Sequence, residues 1–557
     1  MNLIGNINAI PFRRFRGGGG VAPIPPFPSI TGMIARYSAL GLTNEQMAAN
    51  PVWVDKTGNG HDIQLKNFAW SGMSGVGGYK YNFLSNDWSV ATNQISVVLS
   101  HKIVITNKRT SVQLAKSIRN ELENTINITL KITGLEANGS SFKIYDNIGS
   151  SHEQRYNKDG IYQMNYTATE GANRIYFYVP GGNMGQLENP ITIEQPPLYP
   201  GALVFDGVDD YGVCENFPIL TKEKGYTVVA LRQWITRGER ALGLVSNVKN
   251  WLNNGAFLLE YRNIQADHLN KPISFGAIGS EMDLPHILTY QTSKSYNGVS
   301  ITTGNFEGTD VLHVGKLAPT NVGTCINAAI WELVFLDHDA TEEELTKIKN
   351  YFIKTYPWLF PDQAWTVTGK TNEDEDRATI ANITGNGNDL VCLNLGFIEG
   401  SGYNEEGEYA GYLVTDGVDD KITSSTFEMG NDWTVIGDWE LINTGKKDNA
   451  GIVKFDSIVI YNYNPILINI KNGRNNLIPD QNTVNAICSD GRIYSKDWKE
   501  SIYNEETEST SKNFLTIGYS GNDYIKIAFR NLAIYPTVLS KEDCIKAYNY
   551  LQTLKAK

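Results

Sequence analysis

The sequence predicts a mainly β protein: two jelly-roll modules, each closed by a C-terminal helix, the first interrupted by an inserted β-sandwich. Three observations carry this. The phrase DGVDD occurs twice, displaced by 210 residues (Asp206 to Asp416), inside a longer internal duplication. Period-two alternation of apolar and polar residues dominates, as in YTVVALRQWI, FLLEYR, SIVIYNYN and NFLTIGYS, with Gly, Asn and Asp at the boundaries. The composition agrees, because 29 tyrosines and 52 glycines suit short strands and tight turns better than long helices.

At 557 residues the chain exceeds what one core organises, so roughly three or four domains are expected. Residues 1–32 hold Arg13, Arg14 and Arg16, the glycines Gly17–Gly20 and five prolines. Such a stretch buries no core of its own. It reads as a flexible tail or as an extended docking segment. In the second case Phe12, Phe15 and Phe27 are the anchors, Arg13, Arg14 and Arg16 face an acidic groove, and the glycines form a hinge.

The first module takes residues 33–84 plus 200–360, and the second takes 361–557. TNEQ (43–46) matches TNED (371–374), and TGNG recurs with a displacement of 327 (Gly58 to Gly385). After DGVDD, GYTVVALRQWI (225–235) parallels DWTVIGDWELI (432–442), and AAIWELVFLDHDATEEELTKIKNYF (328–352) parallels IAFRNLAIYPTVLSKEDCIKAYNYL (527–551). The unequal displacements require an insertion before the first DGVDD, assigned to residues 85–199. HKIVITN, INITLKITGL, SFKIYDN, IYQMNY, RIYFYVP and ITIEQ make that insertion a β-sandwich, with SVQLAKS read as a strand. Each module ends in a helix with an N-cap signature: Thr341 with Glu344, and Ser540 with Asp543.

The net charge of −12 excludes nucleic acid as the main partner. No apolar run reaches the ~20 residues of a membrane helix, so no membrane insertion is expected, and the N-terminus lacks a signal-peptide hydrophobic region. Five scattered cysteines without a CxxC pair are expected as reduced, mostly buried thiols of a protein made in a reducing cytoplasm. The seven histidines form no HxH or HExxH pair, and no P-loop, GxSxG or Cys–His arrangement occurs. No catalytic residue is therefore assigned, and no cofactor is required. The acidic clusters NEDED, NEEGE and NEETE read as solvated loops.

In DGVDD, Asp-Gly suits a tight turn leading into a strand. Calcium is the second reading, with Asp206, Asp209 and Asp210 in one copy and Asp416, Asp419 and Asp420 in the other as ligands. Most tryptophans fall in strand-like stretches and are expected in cores. Trp88 and Trp251 lie in loop-like contexts and are the candidates for exposed, glycan-stacking rings.

The ordered string W-x-D-x-T-G-N-G-x-D (53–62), a Gly-rich hairpin, DGVDD, an aromatic-T-V strand and a capped helix resembles laminin-G-like (concanavalin A-like) jelly rolls. The longer phrase TNEQMAANPVWVDKTGNGHDIQLKNFAWSGMSGVGGY, followed by ITIEQPPLYPGALVFDGVDDYG, is similar to virion fibre and other structural proteins of crAss-like phages of Bacteroides. The similarity spans nearly all of residues 33–557. It implies a head (capsid) or tail fibre subunit located in the virion and docked by its N-terminus to capsid or other virion proteins. It further implies host or mucosal glycans as ligands, and fibre symmetry implies a homotrimer. The second copy lacks the tryptophan of VWVD, so the resemblance does not extend one ligand site to both modules. A bacterial carbohydrate-binding surface protein and a glycan-degrading enzyme are the alternatives.

Overall fold

The chain folds into three two-sheet units, antiparallel save for the pairing of Leu258–Tyr261 with Ser274–Gly276, and only three α-helices interrupt the described strands. The structure, a computed structural model, describes residues 25–556 except 92–95, 108–110, 119–123, 149–152, 182–185, 221–224, 237–241, 247–257, 262–273, 277–285, 292–294, 297–298, 301–308, 317–324, 406, 408, 443–450, 456–457, 462–465, 471–473, 479–483, 496–497, 503–514 and 521–522.

The duplication seen in the sequence is a duplication of topology. In the first module the strand Asn327–Leu336 is central, flanked by Thr227–Trp234 on one side and by Leu203–Asp206 and Met33–Ser38 on the other. In the second, Ile527–Tyr535 is central, flanked by Thr434–Leu441 and by Tyr412–Val414 and Gln363–Thr366. The facing sheets also correspond: Ile63–Lys66 pairs with Tyr211–Cys214 as Leu390–Leu393 pairs with Lys421–Ser424. Even the bulge is repeated, between Leu231 and Arg232 and between Asp438 and Trp439.

Each sandwich closes over its own core. Trp53, Phe205, Trp234 and Phe335 fill the first, and Trp365, Trp439, Phe529 and Ile534 the second. The insertion holds two five-stranded sheets between Trp88 and Glu194, around Leu130, Phe142, Tyr166 and Phe177. Val112–Ser117 is a strand there. Its root is sealed by Gln195, whose side chain accepts from Tyr81 N (3.0 Å) and donates to Tyr81 O (2.8 Å).

Both helices begin at the expected caps: Glu342–Thr355 after Thr341, with a reciprocal bond from Glu344, and Lys541–Leu551 after Ser540. They do not sit apart on their modules. A fourth core joins Trp331, Phe352, Tyr356 and Trp358 of the first module to Ile436, Tyr494, Tyr535 and Tyr548 of the second, and reaches Ile161 of the insertion. Tyr548 donates to Gln163 across that junction, and Tyr535 donates to Trp358 O at 3.0 Å. The three units are thereby cemented rather than strung on linkers.

Candidate functional site

The repeated phrase forms the same turn twice. Asp206 Oδ1 accepts from Val208 N (2.8 Å) and Asp209 N (3.4 Å), while Asp210 Oδ2 accepts from Asp206 N (3.0 Å). The second copy reproduces this with Asp416 to Val418 N (2.7 Å) and Asp419 N (3.3 Å), and Asp420 to Asp416 N (2.7 Å). Gly207 and Gly417 take φ of 81° and 77°, a region a side chain disfavours. Asn67 and Asn394 brace the turn from outside, each donating its amide to the carbonyl of Asp209 or Asp419 at 3.0 Å. Val208 and Val418 stand exposed at the tips.

Other repeated residues do the same kind of work. Asn44 donates to Val76 O and accepts from Val76 N, and Asn372 does so with Tyr403. Asp62 and Asp389 each accept, at 2.8 Å, from the backbone N–H of Asp55 or Asn382. Asn59 and Asn386, from the two TGNG loops, donate to backbone carbonyls just ahead of or within the first strand of their modules. The shared signature is thus a set of backbone clamps.

Each trio of aspartates brings carboxylate oxygens within 4.8 Å of one another. Calcium takes six to eight oxygens. Here the inner acids are engaged by the turn itself, and Asp210 Oδ1 also accepts from Ser74 Oγ at 3.0 Å. Ser401 occupies the corresponding place beside Asp420. The trios therefore offer a partial ligand set whose main use is to close the turn.

Asp210 is fully buried, and burial above all, with the neighbouring Asp206 and Asp209 charges, pushes its carboxyl up to about 7. A raised folded-state value means that the native protein holds a proton the unfolded chain has released. This contribution to stability is complete below about pH 4 and is lost as pH rises towards 7. Asp210→Asn is expected to flatten that slope; melting temperatures of wild type and variant across pH 4–8 check it, and parallel curves would refute it.

The aromatic candidates change. Trp88 does not present its ring. It opens the strand Trp88–Ala91 and is buried in the insertion's core against Tyr81, Phe83 and Phe177. The loop-like context misled because the strand is short and its partner, Val112–Ser117, is remote in sequence. Trp251 lies outside the described residues, as do Phe12, Arg13, Arg14, Phe15 and Arg16.

Phe27 is also corrected, since it is spent on its own module. Its ring meets Tyr351 edge-on at 4.8 Å, and the Arg36 guanidinium lies 4.2 Å above it. Arg36 in turn forks onto Glu332 (3.1 and 3.0 Å) and donates to Tyr351 Oη (2.8 Å), while Tyr356 donates to Glu332 (2.8 Å). The sequence reading missed this cluster. The available clue was a charge inside each of two apolar strands, MIARYS and IWELVF. Beside it opens a cavity of about 400 Å³ lined by Phe27, Ser29, Met33, Arg36, Lys56 and Asn59.

No family model matches the chain, and no curated protein does. Among solved structures, Trypanosoma rangeli sialidase in complex with sialic acid aligns at a TM-score of 0.26 and 9% identity, over 85% of each chain. The receptor binding domain of botulinum neurotoxin D aligns at 0.18 and 9% identity, over 92% of this chain and 98% of that one. Likenesses at these TM-scores carry no argument about this chain.

Proposed function

We propose that the chain is a structural display subunit of a virus particle, a phage head or tail fibre protein that docks through its N-terminal segment and carries its β-modules outward. The observation behind this reading is where the repeated residues go. Asp206, Asp210, Asn44, Asp62, Asn59 and their counterparts all clamp backbone, so what the duplication preserves is a scaffold. The shared core between modules gives that scaffold the stiffness a projecting element needs. The resemblance to crAss-like phage fibre proteins supplies the particle, and host or mucosal glycans are the ligand class it brings.

Because Phe27 is clamped to Tyr351, the docking segment of this reading ends upstream of it and comprises residues 1–24. Deleting residues 1–24 is expected to leave a folded protein with an unchanged melting temperature that is absent from purified particles. A thermal melt of the truncated protein checks the first part, and immunogold labelling of particles with antibody to this chain checks the second. Normal incorporation of the truncated chain would overturn docking through the N-terminus, and failure of the full chain to label particles would overturn the virion reading itself.

A further inference from the structure

Two of the five cysteines meet, although 56 positions separate them. Cys488 ends the strand Val484–Cys488 and stands opposite Thr434 in the ladder. Cys544 lies in the first half of the terminal helix Lys541–Leu551. Both are fully buried. Thr434 Oγ1 lies 3.7 Å from Cys488 Sγ and accepts from Leu539 N at 2.9 Å, and Cys544 Sγ lies 4.0 Å from Leu539 O. Thr434 and Leu539 thus hold the two thiols in one buried cluster, and after burial it is Cys488 that acts most on the Cys544 thiol. In the first module Leu345 stands at the position of Cys544, so the pair belongs to the second copy alone.

We propose that Cys488 and Cys544 are a latent disulfide, closed when the protein leaves a reducing compartment, that bolts the C-terminal helix to the sheet beneath it. The bolt would act on the junction of all three units. From the same helix Tyr548 reaches Gln163 of the insertion, and Lys546 covers the ring of Trp358 at 4.4 Å.

The chemistry balances with a small-molecule disulfide such as oxidised glutathione as oxidant. One cysteine thiolate attacks that disulfide, forming a mixed disulfide and releasing one glutathione thiolate. The second cysteine thiolate displaces the other glutathione, and the S–S bond forms. The two electrons and the two protons end on the two glutathione thiols. Burial raises the Cys544 thiol well above its ordinary value, which keeps that thiol inert to casual oxidation. Closure therefore requires transient opening of the helix and is slow.

The full chain, purified under reducing conditions, is incubated with oxidised glutathione, denatured, alkylated and mapped by peptide mass spectrometry. The expected result is the loss of two of the five alkylatable thiols, and one linked peptide pair containing Cys488 and Cys544. The melting temperature rises over the reduced chain, and neither Cys488→Ser nor Cys544→Ser shows that rise. Five alkylated thiols after prolonged exposure would overturn the proposal. So would a glutathione adduct left on either cysteine, which would mark an open thiol rather than a bolt. The peptide map reads the wild-type chain, so the test stands even where a serine variant does not fold. It is also independent of whether the chain belongs to a particle.

Discussion

Glu332→Ala is expected to be among the most damaging single substitutions in the first module. Glu332 is fully buried and takes both arms of the Arg36 guanidinium as well as the Tyr356 hydroxyl. Removing it leaves a guanidinium, only 14% exposed, without its counter-charge, and a buried phenol without its acceptor. Breaking a buried pair from one side costs about 3–5 kcal/mol, because the surviving charge remains desolvated. The second module shows how the same place is filled without charge. Ala364 and Asn531 stand where Arg36 and Glu332 do, with Ala364 N donating to Asn382 as Arg36 N does to Asp55. Arg36→Ala combined with Glu332→Asn should therefore cost less than Glu332→Ala alone. Urea unfolding of the three proteins measures both claims, and a loss under about 1 kcal/mol for Glu332→Ala would mean that water already solvates the pair.

The second large effect lies in the other module. Gly437 sits in the strand Thr434–Leu441, two residues before Trp439 and so on the same face. The indole folds back over the glycine: a Cβ built there would lie 1.6 Å from one ring carbon of Trp439 and 2.0 Å from another. Trp439 is 2% exposed and has nowhere to retreat. Gly437→Ala should cost about 3 kcal/mol, at the upper end of overpacking penalties. Its tryptophan fluorescence should shift to the red as the ring is displaced. Shortening the neighbour in Gly437→Ala/Trp439→Leu should recover part of the loss. The first module holds Ala230 and Arg232 at these positions, so the small residue grew where the ring was not kept.

These two cases mark the boundary of what the chain reveals on its face. Repeats, caps and alternation are local or periodic, and they led to the paired modules, the insertion and both closing helices. The strand at Val112 followed from alternation too. Pairings between single residues far apart leave no such trace. Arg36 and Glu332 are separated by 296 positions, and nothing near either names the other. Trp88 failed for a related reason. Its neighbours look like a loop, while its burial is decided by Phe177, far along the insertion, together with Phe83 just ahead of it. For the aspartates, spacing alone left turn and cation site open. The backbone N–H groups that fill Asp206 and Asp210 appear only once the chain is folded.

The way the insertion is rooted has a consequence for how this architecture can be altered. In the second module the hairpin strands Gly402–Asn404 and Tyr412–Val414 are joined by a short link. In the first, the equivalent strands Gly75–Val76 and Leu203–Asp206 still pair, with the whole insertion placed between them. The host hairpin therefore pairs with or without an insertion, and the Tyr81–Gln195 clasp is the socket. A different domain with neighbouring ends can be grafted at that socket at the cost of the Ile161 and Gln163 contacts to the junction, and the link of the second module is a natural blank for the empty state.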